Sequence, residues 1–558
     1  MDERKEETLY KLAQTLLEQG KQASRSWQGV CSYVFPELVY GAHHQPEKAK
    51  DDLGRRICTR AKNNVIKFAA AHSAYITPSF QRWFSFINPV TPEWNDLWYT
   101  QAEEVMTDVL NSHSNFYSVL GQVYIDRVAT GTGVMLVDIA PRGNLVSTHV
   151  PAGTYGLAEN EQHVVDTLVR DFVFTAVQAR DAFGEENLTR EMKEALSGRN
   201  PGEAYEKKFH IWHIIVPRPG GVKHLGIASR QNLAFASYYL EPTEKKLLHE
   251  GGYYEFPALV TRFLKIGDQV YGTGVLENVK DTVKDLVVQG DALRKIAQIS
   301  VMPPMVLPPD AEGQIDYRAG GQSVMSYQAM QAGFPHPLVP NPRYDIAIDI
   351  KSLMEKELDD ACYISLLETV SSIDRYMTAT EVDAREREKV LAFGTSFTQF
   401  IADATPLIEH IFLLLLRNGF IPMEGIPESM LSIARDGKNV EVRPPKVSFR
   451  GRIAQALERL QLNSTETMLQ TFMTYVQQTN DPQYTDSLDI AEATRFILRK
   501  SGVPASVIRS REEVQAIQNQ RAQMAQLQAE AAIAQQQAAA NASNAQANVS
   551  NAQAEALQ

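Results

Sequence analysis

Residues 273–300 read TGVLENVKDTVKDLVVQGDALRKIAQIS, 28 residues without a proline. Leu276, Val279, Val283, Leu286, Gly290, Leu293 and Ala297 recur every three or four positions, which places them in one narrow stripe along a straight helix about 40 Å long. The other faces carry Glu277, Lys280, Asp281, Lys284, Asp285, Asp291, Arg294 and Lys295. A helix that polar is not wrapped on all sides by its own domain, so its stripe needs a neighbour. A second helix is expected from about Tyr344 to Glu368, with Ile346, Ile350, Leu353, Leu358 and Ala361 on one side. Between the two, Pro303-Pro304, Pro308-Pro309, Gly320-Gly321 and four prolines from Pro335 to Pro342 mark an irregular or short-stranded insert. Two long helices therefore flank a compact module.

Working outward, the N-terminal 130 residues read as helices. One spans about Asp51 to Thr77, with a basic face and a stop at Pro78; another follows Thr91-Pro92-Glu93 to about Ser112; Asn115 is placed to cap a third. From Gly133 to about Phe263 the pattern changes to short apolar runs such as VMLVDI, FHIWHIIV and ALVTRFL between turn formers, predicting a mainly antiparallel sheet. No regular alternation of strand and helix appears, which argues against a doubly wound nucleotide-binding fold. On the other side of the helix pair, Thr369 to Met377 is a polar loop, and Thr378-Ala379-Thr380-Glu381 has the form of a capping box. The helix it starts is expected to kink near Pro406 and end at Asn418-Gly419. A strand is expected over Asn439 to Arg450, then helices over about 451–478 and 487–501. Residues 511–558 contain no Gly, Pro or aromatic residue, and 28 of these 48 positions are Ala or Gln, so this tail favours helix but buries too little to stay ordered alone. The class that emerges is α+β, mostly helical.

Composition narrows function by exclusion. Hydrophobic residues at 44% and charged residues at 22% are ordinary globular values, so most of the chain should fold. Cys31, Cys58 and Cys362 are too widely spaced for a disulfide framework or a metal motif. The charged N-terminus MDERKEETLYKLAQ lacks a signal peptide's apolar core, and the most apolar window, Leu407 to Leu416, is ten residues long and holds Glu409 and His410. No membrane span is expected. A net charge of −12 argues against tight, phosphate-neutralising binding of nucleic acid.

The candidate sites have ordinary readings. Gly131-Thr132-Gly133 and Gly272-Thr273-Gly274 lack the further Gly and Lys of a phosphate-binding loop and read as structural turns. His210 and His213 stand three apart in a strand, on opposite faces, which rules against joint metal ligation. The basic run from Arg55 to Lys67 reads as a solvated or inter-subunit helix face rather than a nucleic-acid patch. No nucleophile, base or paired-carboxylate set stands out, so no catalytic residue, cofactor or metal is assigned. A helical scaffold or adaptor and, more remotely, an enzyme are the rival classes.

Three stretches carry a resemblance: GDQVYGTGVLENVKDTVKDLVVQGDALRKIAQISVMPPMVLPP (267–309), DRYMTATEVDAREREKV (374–390) and RPPKVSFRGRIAQALERL (443–460). Together with the order of elements, they resemble the head-to-tail connecting (portal) proteins of short-tailed phages over the whole chain. The resemblance implies a wing (1–272), a first stem helix (273–300), a clip (301–342), a second stem helix (343–368), a tunnel loop (369–377) and a kinked channel helix (378–417). A return to the wing (418–450), a crown (451–510) and a C-terminal barrel helix (511–558) complete it. It further implies a homo-oligomer of twelve subunits in the virion, at one capsid vertex, assembled in the host cytoplasm. Double-stranded DNA would slide through its channel without tight binding. The implied protein partners are the terminase large subunit, tail adaptor or nozzle proteins, major capsid and scaffolding proteins, and internal ejection or core proteins, with no membrane. Ser371, Ser372, Asp374 and Arg375 would lie nearest the DNA, and Tyr317, Arg318, Tyr327 and Arg343 would serve docking at the clip. Leu276, Val279, Val283, Leu286 and Leu293 would pack subunit against subunit.

Overall fold

The computed structural model describes residues 2–38, 57–87, 97–140, 143–198, 202–221, 230–301, 344–364, 379–433, 440–450 and 511–555, with short pieces at 305–306, 316, 322–324, 326–333, 336–337, 468, 471–472 and 474. In chain order the elements are α1 (Asp2–Val34), α2 (Thr59–Ile76), β1 (Phe84–Ile87), α3 (Leu97–Ser112), α4 (Phe116–Thr130), β2 (Thr132–Ile139), β3 (Leu145–Val150), β4 (Tyr155–Glu159) and β5 (Val165–Thr175). Three short helices follow, α5 (Ala176–Phe183), α6 (Arg190–Ser197) and α7 (Glu203–Glu206), then β6 (Lys208–Pro217), β7 (Phe235–Glu241), β8 (Lys246–Tyr253) and β9 (Ala258–Arg262). The helix pair and its insert comprise α8 (Val275–Asn278), α9 (Lys280–Val301), β10 (Met305–Val306), α10 (Tyr327–Ala332), β11 (His336–Pro337) and α11 (Tyr344–Ala361). Last come α12 (Ala379–Arg417), β12 (Leu431–Ile433), β13 (Val440–Val442), β14 (Lys446–Phe449) and α13 (Arg511–Glu555).

The sheet region is antiparallel, as its period-two pattern requires: one sheet in the order β3-β2-β9 and a meander in the order β4-β5-β6-β7-β8. Both faces of the meander are covered. Leu9, Ala13, Leu16 and Leu17 of α1 pack on Val169, Ile214, Ala236 and Leu240, while α5 and α6 cover Phe209 and Ile211 on the opposite face. Thr175 starts α5 with a complete capping box to Gln178. At the centre of the body lies α4, whose Val123, Tyr124 and Val128 are fully buried. Arg127 of α4 is buried too, donating from Nε to the Arg262 carbonyl (3.2 Å) and from Nη2 to the Ser396 carbonyl (2.7 Å), between the rings of Phe263 and Phe400.

The two Gly-Thr-Gly triplets meet. Gly131 ends α4 with φ +94°, and a Cβ there would lie 2.2 Å from the Gly272 carbonyl oxygen. A Cβ on Gly272 would lie 2.3 Å from the Gly131 oxygen, and one on Gly274 would lie 2.5 Å from the Ala129 oxygen. The Gly272 N–H donates to Thr132 Oγ1 at 2.9 Å. Two backbones thus cross in contact where the sheet hands over to the helix pair, which only hydrogen in place of a side chain permits.

Segment 396–417 of α12 is long and apolar enough to cross a membrane by length and composition alone. Its Phe400, Leu407, Ile411, Phe412, Leu415 and Leu416 are nevertheless buried in the chain's own core, so it is read as a core helix. Within this segment Asp403 accepts from the Arg262 backbone N–H and from Arg262 Nη2, both at 2.8 Å; Glu159 also pairs with Arg262 and, at 2.8 Å, with Lys265. That buried quartet ties α12 to β9 and to the end of β4.

Several boundaries differ from the sequence expectation. The first helix of the pair is broken at Val279 (φ −108°, ψ 20°) into α8 and α9 rather than straight. The second ends at Ala361 instead of Glu368, followed by Tyr363 with φ +53°. The strand expected over 439–450 divides around Pro444-Pro445, because proline cannot donate to a ladder: β13 pairs with β12, and β14 pairs with β1. Helix α12 runs through Pro406 as one element and, as expected, closes at Gly419 with φ +78°. Asn115 stands at the start of α4 but does not cap it; its amide bridges instead to the Ser147 N–H (2.7 Å) and carbonyl (2.8 Å) of β3. Glu93–Leu97 and residues from 457 onward form a separate unit. Within it, α13 is a helix of 45 residues whose described side chains are almost all exposed.

Candidate functional site

The helix pair is the feature that the body does not absorb. Chain connectivity makes α9 and α11 antiparallel neighbours, and β10 and β11 pair Met305 with Pro337 and Val306 with His336. The insert therefore leaves and rejoins the pair at one place, as a module closed at its base.

Burial along the pair has a direction. Leu276 and Val283 are fully buried and Leu286 and Leu293 nearly so, whereas Val301 at the far end is 81% exposed. On the returning helix Ile346, Ile348, Ile350 and Leu353 are exposed, and burial resumes at Leu358, Cys362 and Ile364. The pair is rooted in the body and leaves it toward the insert. Its root is held by ion pairing: Arg60 of α2 donates from Nε to Asp359 Oδ1 at 3.0 Å, and Asn64 donates to the same oxygen at 2.7 Å. Burial alone would raise the Asp359 carboxyl, but the Arg60 and Asn64 hydrogen bonds outweigh it and hold it below its ordinary value. Lys62 of the same basic run pairs with Glu37 at 3.2 Å.

The structure places the expected residues unevenly. Leu276, Val279, Val283, Leu286 and Leu293 are all buried within a single chain, where Leu276, Val279, Val283 and Leu286 join the main core. Within the chain α9 also neighbours α11. Tyr327 opens α10 and is 74% exposed. Tyr317, Arg318, Arg343, Ser371, Ser372, Asp374 and Arg375 lie outside the described residues. His210 and His213 do face opposite sides: His210 meets Asp171 at 3.0 Å, and His213 is buried against Ser237 at 2.9 Å. Sequence reading missed the Arg60–Asp359 root contact and the Arg262 quartet, whose partners are 299 and up to 141 positions apart. The crossing of the Gly-Thr-Gly triplets had a signal, the identity of the two triplets, but it was read as two separate turns.

Several titratable groups elsewhere have structural roles. Burial raises the Cys31 thiol and pushes Cys362 up to about 12, which leaves both inert at neutral pH. His149 Nε2 meets Asp126 Oδ2 at 2.8 Å, and the Ala152 N–H donates to the same oxygen, so this buried dyad pins β3 to α4. Among the described residues no group of three or more His, Cys, Asp or Glu side chains is placed to hold a metal ion.

A rooted helix pair that leaves apolar residues exposed offers a surface suited to contact with another chain. The chain belongs to the family of bacteriophage head to tail connecting proteins, whose sequence model matches residues 6–508. It is 27% identical over 465 residues to a portal protein of Salmonella phage epsilon15, covering 81% of this chain and 79% of that one. It is 26% identical over 529 residues to a probable portal protein of Bordetella phage BPP-1, covering 91% and 89%. Membership makes this a component of the phage head-to-tail connection.

Proposed function

We propose that this chain is a portal: a ring of twelve copies at one capsid vertex, through which the genome enters during packaging and leaves during ejection. In this reading the α9–α11 pair is the stem, residues 301–342 are the clip that docks the terminase large subunit and then tail adaptors, and residues 369–377 form the tunnel loop, with Asp374 and Arg375 toward DNA. The observation that carries it is the set of exposed apolar side chains on the pair, Ile346, Ile350 and Leu353 on α11 and Val288 on α9, in a chain of this family. Such residues, left in water by one copy, are covered when copies stand side by side around an axis. The acidic balance suits a conduit. Twelve copies multiply the net charge of −12, so a channel wall need not grip phosphates, and DNA can slide.

Negative-stain electron microscopy of the purified full chain, with its mass by analytical ultracentrifugation, tests the reading. Rings with a central hole and the mass of twelve chains are expected. Elongated dimers or trimers would instead make it a scaffold or adaptor.

A further inference from the structure

Register brings together a row that no single segment displays. Across the meander, Arg170 of β5 stands opposite His213 of β6, His213 opposite Tyr239 of β7, and Tyr239 opposite His249 of β8. All four lie on one face, and Arg170, Tyr239 and His249 line a cavity of about 870 Å³ between that face and the C-terminal end of α12. Arg170 Nε donates to His213 Nδ1 at 3.1 Å, which leaves the His213 proton on Nε2, donated to Ser237 Oγ at 2.9 Å. The His213 and Tyr239 rings stack at 4.2 Å and 4°. The guanidinium lies 4.8 Å over the Phe172 ring and hydrogen-bonds to Tyr239.

What it lacks is a counter-ion. Among the described residues no carboxylate pairs with Arg170, although it is half-buried. The two acids lining the cavity are otherwise accounted for. Arg417 grips Glu255 through two bonds of 2.6 Å, and Asp138 sits exposed at the rim, its Oδ1 accepting from the Ile139 N–H. Ser237, Gly251 and Gly252 leave the floor beside the row open, and Phe172, Phe183, Tyr239, Tyr253 and Tyr254 make its walls aromatic.

We propose that this cavity is a binding site for a carboxylate monoanion carried on an apolar body. One uncompensated guanidinium matches one negative charge, and its planar fork matches the two oxygens of a carboxylate. A dianionic phosphate would bring a second charge toward Asp138, and among the described residues lining the cavity the other guanidinium, Arg417, is already held by Glu255. The aromatic walls suit an apolar group next to the acid. The site does not depend on the ring.

Titration of the full chain with N-acetylphenylalanine, followed by ligand-observed NMR, reads the binding directly. The acid is expected to bind and its primary amide is not. Arg170→Gln should weaken binding about tenfold or more, and Arg170→Lys should restore part of it. Gly251→Leu should abolish binding by filling the floor while Arg170 stays in place. A Cβ at Gly251 makes only ordinary contacts, the nearest at 3.5 Å to His249, so this variant should fold. The capped dipeptide N-acetyl-Asp-Phe-amide separates the sources. Competition by it assigns the site to an acidic side chain of a protein segment, and binding of the acid without such competition assigns it to a free or terminal carboxylate. Equal binding of acid and amide, no binding at millimolar concentration, or binding unchanged in both Arg170→Gln and Gly251→Leu overturns the proposal.

Discussion

Gly131 and Gly272 touch backbone to backbone, so neither tolerates a methyl group without moving the chain that carries the other. Gly272→Ala should cost roughly 1–3 kcal/mol through steric displacement of the facing backbone, read as a shift of the urea midpoint. Two carboxylates near α12 should respond to pH in opposite senses. Burial alone would raise Glu255, but the two hydrogen bonds from Arg417, with His410 Nδ1 a further 3.6 Å away, outweigh it and hold the carboxyl below its ordinary value of 4.5. Its contribution to stability is therefore complete above about that pH and is lost as pH falls through the lowered value. Glu255→Gln should destabilise by about 2–3 kcal/mol at pH 7, with the difference from wild type shrinking below pH 4.5. Glu409 is raised by burial, so its ionisation opposes folding as pH rises through 4.5. Glu409→Gln should raise the melting temperature at pH 7 and leave it unchanged in acid. Parallel pH-stability profiles for the two variants would contradict both assignments.

At the scale of the helix pair, root and far end should separate by phenotype. Leu286 is buried in the main core, and Leu286→Ala should cost about 2–5 kcal/mol in the stability of the chain itself. Leu353 is 67% exposed. Leu353→Asp should leave the circular dichroism spectrum and melting of the single chain nearly unchanged yet reduce ring formation by at least tenfold in ultracentrifugation. Assembly by Leu353→Asp at the wild-type concentration would show that this edge is not between subunits. The existence and order of these helices, the Pro/Gly insert and the antiparallel sheet were legible because period and punctuation are local. The break at Val279 was not legible. Its spacing fits an unbroken helix, and no proline or other local stop signal marks the break.

For the whole molecule, the proposed portal reading requires that a ring hold DNA loosely. Binding of the purified ring to duplex DNA is expected to be weak and to fall steeply with salt; nanomolar affinity at physiological salt in a fluorescence anisotropy titration would contradict the conduit. Removal of residues 511–558 should leave rings intact in electron microscopy and alter DNA retention in assembled particles. Helix α13 packs little of its own surface, and the family's sequence model ends at residue 508.

By itself the sequence determined what repeats or punctuates locally: the α+β class, the helix pair with its insert, the Ala/Gln tail, and through whole-chain resemblance the family. Tertiary structure decided which of those residues face each other. Whether Leu276 to Leu293 meet their own chain or a neighbour depends on where α11 and the body lie, and spacing along one helix cannot say. The Arg262 quartet, the crossed glycines and the Arg170 row are likewise products of register and packing between segments tens to hundreds of residues apart. A side chain's charge and size are written in its own residue, but its partner is fixed only when the chain closes on itself.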